Sequence, residues 1–197
     1  MPDHFKIPDD RIGVLIGTEG ETKKRIEDRA EVEIDVDSES GAVSVTRSGD
    51  GDPVRSLKGP RVVKAIARGF PPESALRLLE DVDGEAEMVV YESINIKDAV
   101  GSDGETRAKK GRLIGRNGRT RELTEELTGA EVRIYGKTFG AIGASEQVDA
   151  ATTAAEMLLD GAPHGAVYSY MERKRNEMNT AGIEYRRTGT DAGADAY

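Results

Sequence analysis

The sequence has 197 residues, with 28 Lys and Arg against 37 Asp and Glu, a net charge of −9 and 37% hydrophobic residues, which fits one or two domains with an aromatic-poor core. Only 3 Phe, 6 Tyr and no Trp disfavour an aromatic platform for stacked bases, and 0 Cys exclude a disulfide framework, a zinc ribbon and a cysteine nucleophile. The opening Met1-Pro2-Asp3-His4-Phe5 has neither a basic nor an apolar leader region, and no run of roughly 18 apolar residues occurs, so a soluble cytoplasmic protein without a membrane partner is expected.

In chain order, Asp9-Asp10 opens a helix whose buried end is Leu15-Ile16. Gly17-Thr18-Glu19-Gly20 breaks it, and a second helix runs from Glu21 to near Ala30. Val32, Ile34 and Val36 then alternate with Glu33 and Asp35, the pattern of a half-buried strand. Asp37 to Gly41 turns into a second strand, Ala42-Val43-Ser44-Val45-Thr46, and a closing helix carries the stripe Val62, Val63, Ile66 and Ala67. Gly69-Phe70-Pro71 marks a break before Ala75 and Leu76, and Asp81-Val82-Asp83-Gly84 divides this unit, 1–83, from the next, 84–178.

The second unit repeats the first. Gly111-Arg112-Leu113-Ile114-Gly115-Arg116-Asn117-Gly118-Arg119-Thr120 matches Gly13 to Thr22 at an offset of 98, with the shared pattern G-x-L-I-G-x-x-G-x-T. Ala130-Glu131-Val132-Arg133-Ile134 matches Ala30 to Ile34 at an offset of 100, which places two extra residues in the second copy's intervening helix, ending at Thr128-Gly129. Tyr135-Gly136-Lys137 turns into Thr138-Phe139-Gly140-Ala141-Ile142, the closing stripe is Val148, Ala151, Ala155 and Leu158, and Gly161-Ala162-Pro163 precedes Val167 and Tyr168. The tail 179–197, rich in Gly, Ala, Thr and Asp, shows no amphipathic period and is expected to be disordered.

Charge distinguishes the copies. Thr106 to Arg121 holds Arg107, Lys109, Lys110, Arg112, Arg116, Arg119 and Arg121 and no acid, whereas residues 1–47 carry seven bases and twelve acids. Arg outnumbers Lys by 18 to 10, and with the abundant Asp, Glu, Gly and Ala the composition resembles that of halophilic organisms. A glycine loop joining two helices lets a sugar-phosphate backbone approach closely, and the following helix start presents unpaired N–H groups and a positive dipole end to an anion.

Helix, G-x-x-G, helix and then Gly-Ala-x-Val-x-Ile resembles the type I KH domain, the second copy more closely than the first. From Lys110 to Arg121, with Glu125 to Ala130, Tyr135-Gly136-Lys137-Thr138 and Asp160 to Gly165, the chain is similar to an archaeal two-KH-domain ribosome-assembly factor over roughly residues 5–178. The resemblance implies an α+β fold of two tandem type I KH domains, each β-α-α-β-β-α with a three-stranded antiparallel sheet and helices on one face. It also implies single-stranded RNA near the 3′ end of small-subunit rRNA as ligand, and as partners a PIN-domain endonuclease and the alpha subunit of translation initiation factor two.

Such domains clamp about four nucleotides with this loop and read bases in an adjoining groove. Carried onto this sequence, the clamp is Gly115, Arg116, Asn117 and Gly118, the groove is lined by Leu113, Ile114, Val132 and Ile134, and Lys109, Lys110, Arg112, Arg119 and Arg121 supply phosphate contacts. Thr124 stands where the family carries an apolar residue, as Ile26 does in the first copy, so a shallower or more polar groove is expected, with Leu123 and Leu127 taking over the packing. In the first copy Glu19 and Glu21 oppose phosphate, and Gly17, Gly20, Lys23 and Lys24 form a weaker site.

No cofactor, metal or catalytic residue is expected. Asp35 to Gly41 lacks the spacing of a calcium loop, the glycine loops lack the spacing of nucleotide-binding motifs, and only His4 and His164 are available for histidine chemistry. The competing class is a protein-interaction adaptor with incidental RNA contact, to which the segment Tyr168 to Arg175 offers a basic helix end.

Overall fold

The protein is described by a computed structural model over residues 3–83, 88–99 and 103–191. The first unit consists of β1 (Asp3–Lys6), α1 (Asp9–Ile16), α2 (Glu21–Ala30), β2 (Val32–Val36), β3 (Ala42–Arg47) and α3 (Pro53–Ala67), followed by a short α4 (Pro72–Leu76) and a 3₁₀ segment, Arg77–Asp83. The second unit has β4 (Val89–Asn95), α5 (Asp103–Ile114), α6 (Arg119–Thr128), β5 (Glu131–Tyr135), β6 (Thr138–Ala144) and α7 (Ser145–Leu159), then a long α8 (His164–Asp191). Each unit therefore runs β-α-α-β-β-α, with antiparallel sheets ordered β1-β3-β2 and β4-β6-β5.

Local chemistry fixes the element ends. Asp52 caps α3 by accepting from the Val54 N–H at 2.7 Å, with Pro53 in the first turn where its missing N–H costs nothing. Gln147 accepts the Ala144 N–H at 3.0 Å to start α7. The acidic turn at Asp37 satisfies itself: its carboxylate accepts from Ser40 Oγ at 2.5 Å and from the Glu39 N–H at 2.9 Å, which holds its pKa below the ordinary value. Among the described residues no group of three or more His, Cys, Asp or Glu is arranged to hold a metal ion.

Two sequence expectations are corrected. The helices α2 and α6 both have 10 residues, so no insertion separates the copies there. The structural offset stays at 98: Glu27 Oε1 accepts the Ile34 N–H at 2.8 Å as Glu125 Oε1 accepts the Val132 N–H at 2.9 Å. Because a strand repeats every two residues, the offset of 100 preserves inward and outward faces and so gives the same pattern. Of the tail 179–197, α8 takes in the chain to Asp191, and 192–197 lie outside the described residues. Lastly, Arg133, the polar alternate of the half-buried strand β5, does not face open solvent, and neither do Glu131 and Tyr135 on the same face.

That face meets the first unit. Arg133 lies over the Phe70 ring at 5.8 Å, Arg11 over the Tyr135 ring at 5.9 Å, Ser74 Oγ donates to Glu131 at 3.0 Å, and the Tyr135 hydroxyl donates to Asp10. Phe70, 0% exposed, is the apolar centre, edge-on to Tyr91 at 5.9 Å, and a side chain of this size stabilises by roughly 1.5–3 kcal/mol on burial. Gly140 of β6 is required beneath it, since a Cβ there would stand 2.9 Å from the Phe70 ring. Val89 and Ile142 belong to the first unit's apolar core, although their strands pair in the second sheet. The other face of that sheet, Val132, Phe139 and Ala141, packs on the second core with Val148, Leu158, Val167 and Met171. β6 is consequently buried on both faces, which explains its run of Gly and Ala.

Candidate nucleic-acid interface

The loop between α5 and α6 is built by two glycines with different jobs. Gly115 has φ 76° and ψ 173°, a region open essentially to glycine alone, and a Cβ there would lie 2.2 Å from Thr120 Oγ1 and 2.6 Å from Thr120 N. Gly118, φ 80° and ψ 3°, begins α6 with no side-chain cap, so the first N–H groups of that helix point at the loop. Asn117 between them takes a left-handed φ of 52°, which Asn tolerates well. Gly17 repeats the geometry against Thr22, and this packing of a threonine on the first glycine accounts for the last letter of the repeated motif. At the tip of the first loop, however, Glu19 adopts φ 53°, a strained choice that also places a carboxylate there.

The predicted cations separate into groups once their partners are known. Arg116 and Arg119 are exposed beside the loop, with Arg119 only loosely paired to Glu122 at 3.9 Å, and Arg107 is exposed on α5. Lys109 and Lys110 are half-buried, and Lys110 Nζ donates to the Gly136 carbonyl at 2.9 Å, tying α5 to the β5–β6 turn. Arg121 is ion-paired with Glu125 at 2.5 Å, and Arg133 reaches the same carboxylate at 3.2 Å and Glu131 at 2.8 Å. Arg112 has a structural task as well: its Nε donates to the Leu158 carbonyl at 3.0 Å and one terminal nitrogen to that of Ala162, so it docks α5 on the end of α7 with two of its five N–H donors.

The apolar set divides likewise. Leu113 is 3% and Val132 0% exposed, so both are core residues whose side chains offer no surface, whereas Ile114 and Ile134 are half-buried at the margin. Thr124 does not make the interior more polar: it is 4% exposed and donates to the Thr120 carbonyl at 2.9 Å, and Leu127 is buried beside it while Leu123 is only half-buried. In the first unit Lys23 is held by Glu27 at 2.9 Å, and Lys24 is exposed.

Two residues escape a sequence reading. His164 and Tyr168, on the first turns of α8, reach the loop's supports: His164 Nε2 lies 3.2 Å from the Arg112 carbonyl, and the Tyr168 hydroxyl 3.1 Å from Thr120 Oγ1. With Gly111, Arg116 and Arg119 they line an open cleft of about 510 Å³ on the side of α5 away from Lys110. The only sequence signal was the Pro-marked break before them, which announces a helix and not its destination.

Comparison with known proteins agrees with this geometry. Residues 90–176 match the model of the eukaryotic type KH domain (KH-domain type I), and residues 3–60 match that of the KH domain. A KH domain-containing protein of Methanocaldococcus jannaschii is 40% identical over 187 residues, covering 95% of this chain and 80% of its own length. The pre-rRNA-processing protein pno1 of Emericella nidulans is 30% identical over 123 residues, 61% of this chain and 46% of that protein. A chain in the crystal structure of the a/eIF2alpha-aDim2p-rRNA complex from Pyrococcus horikoshii OT3 is 44% identical with a TM-score of 0.78, covering 90% of this chain and 95% of that one. Two units of one topology, two KH matches and a relative alike along almost the whole chain establish that this protein belongs to the family of two-KH-domain proteins represented in Methanocaldococcus jannaschii.

Proposed function

We propose that this protein is a non-catalytic, cytoplasmic ribosome-assembly factor whose second KH unit, 84–178, grips single-stranded small-subunit rRNA near its 3′ end and positions it for a PIN-domain endonuclease. The first unit, 1–83, is the platform, with Gly17, Gly20, Lys23 and Lys24 a weaker RNA contact. The observation that carries this reading is the loop Gly115 to Gly118, where a glycine-only backbone and an uncapped helix start meet the exposed Arg116 and Arg119. Arg107 and Lys109 extend the phosphate path, and Ile114 and Ile134 form the apolar margin on which bases rest. Support for rRNA comes from the relatives, one a pre-rRNA-processing protein and one crystallised in a complex that contains rRNA.

Competition tests it. An oligonucleotide with the mature 3′-end sequence should displace a labelled copy of itself at least about tenfold better than unrelated RNA of equal length, and adding this protein should sharpen cleavage by the endonuclease at that end. Equal competition by all sequences would remove rRNA from the proposal.

The complex that contains a/eIF2alpha favours a second role, binding of the alpha subunit of translation initiation factor two. Co-sedimentation with that subunit in the absence of RNA supports the adaptor role, and its failure leaves the RNA clamp as the sole function.

A further inference from the structure

The two units are repeats, yet their closing helices differ in what covers them. At an offset of 92 residues α3 registers on α7: Ser56, Gly59, Val63 and Ile66 correspond to Val148, Ala151, Ala155 and Leu158, all buried. The next helices start at matching points, Pro72 and His164, with Ala75 and Val167 buried alike. There the copies part. α8 runs on for 28 residues, and its Lys174, Glu177 and Met178 share a cleft with Glu146 and Asp149 of α7. α4 stops after 5 residues, and the chain leaves through the 3₁₀ segment toward the second sheet.

The surface of α3 corresponding to that flanked stretch is bare. Val54 and Leu57, which match Glu146 and Asp149, are 57% and 75% exposed, two of the three large hydrophobic residues that are exposed among the described residues. Beside Leu57 a cleft of about 240 Å³ opens between Pro53, Ser56, Pro60 and the end of the first sheet at Val32 and Val45. Charge is inverted between the copies as well. α7 offers Glu146, Asp149 and Glu156, and α8 carries Arg173, Lys174 and Arg175 just before its midpoint. α3 instead carries Arg55, Lys58, Arg61 and Lys64 with no acid, in a chain of net charge −9.

We propose that the amino-terminal half of α3 docks an acidic amphipathic helix of a partner protein, in the place that the middle of α8 takes beside α7. Val54 and Leu57 supply the apolar seat that such a helix covers, and the exposed Arg61 and Lys64 supply the charge that orients it. RNA fits this seat less well, because a phosphate would use the cations but leave the exposed aliphatic side chains of Val54 and Leu57 uncovered.

The probe is a helix-stapled peptide with the sequence 164–181 in which Arg173, Lys174 and Arg175 are replaced by Glu, with the unaltered sequence as control, titrated into the full-length isotope-labelled protein. Amide shifts confined to the region of residues 53–61, binding about tenfold tighter than the control, and loss of binding in Leu57→Asp support the proposal. Arg61→Glu should weaken the acidic peptide several-fold, roughly threefold or more, without changing the thermal midpoint. No binding by either peptide at roughly millimolar concentration, or equal binding by both, overturns it. So does a fall in oligonucleotide affinity in Leu57→Asp, which would make this a nucleic-acid face, or a dimer that Leu57→Asp dissociates in sedimentation, which would make it a contact between copies.

Discussion

Arg112 joins the last turn of α5 to the end of α7 by donating to the carbonyl of Leu158 at 3.0 Å. The first unit makes the same joint from a different position: Arg11 of α1 donates to the carbonyls of Ile66 at 2.8 Å and Phe70 at 2.7 Å. In both units a guanidinium fork sits on carbonyls at the negative end of the closing helix and thereby fixes the helix that leads into the glycine loop. Arg112→Ala should lower stability by about 1–3 kcal/mol while leaving the salt dependence of RNA binding unchanged, measured by chemical denaturation beside binding isotherms. A shallower salt slope with full stability would return Arg112 to the phosphate contacts.

Arg116 and Arg119 have the opposite profile. Each substitution to Ala should reduce the slope of log affinity against log salt by about 0.7, as expected for one lost phosphate contact on a single strand. Stability should stay within about 0.5 kcal/mol of wild type, since neither side chain is buried.

The two glycines of the clamp should respond unequally. At Gly115 an added Cβ meets Thr120 Oγ1 at 2.2 Å, whereas at Gly118 its nearest neighbour is Glu122 Oε1 at 3.9 Å. Gly118→Ala therefore carries only the left-handed backbone penalty, about 1 kcal/mol, and retains most RNA affinity. Gly115→Ala should cost more than about 2 kcal/mol and abolish binding, because the loop must open to accommodate it. Differential scanning calorimetry with anisotropy on the same samples checks both.

Alkaline pH should loosen the contact between the units. Partial burial of Tyr135, together with its hydrogen bond to Asp10 and that residue's charge, raises its pKa above the ordinary 10.0. The neutral phenol is thus favoured in the fold, and its contribution is complete below pH 10 and fades as pH rises through the higher native value. Burial raises Tyr91 in the same direction, so the diagnostic quantity is the difference between wild type and Tyr135→Phe. That variant should be less stable at pH 8 by about 1 kcal/mol, and the difference should shrink as pH rises through the native tyrosine value, followed by thermal melts across the range.

The elements were legible in the sequence because the repeat shows each signal twice: two G-x-x-G breaks, two alternating strands and two Pro-marked helix starts. What stayed hidden depends on partners distant in the chain. Arg112 and Arg116 look alike in a basic run, and only the carbonyls of Leu158 and Ala162 distinguish them. Arg133 reads as the solvent side of a half-buried strand because alternation reports which side of a strand is polar, not what lies beyond it. Val132 and Ile134 share a face and differ only in how near they stand to its margin.

The central claim is that the second glycine loop is the RNA clamp. Fluorescence anisotropy of an oligonucleotide from the mature 3′ end of small-subunit rRNA, recorded across a salt series, tests it most directly by comparing wild type with Arg116→Asp/Asn117→Asp and with Thr18→Asp in the first loop. The account predicts that the second-loop variant stays folded and loses binding while Thr18→Asp retains it. Unchanged affinity in the second-loop variant, or no binding by wild type at any salt concentration, would contradict it.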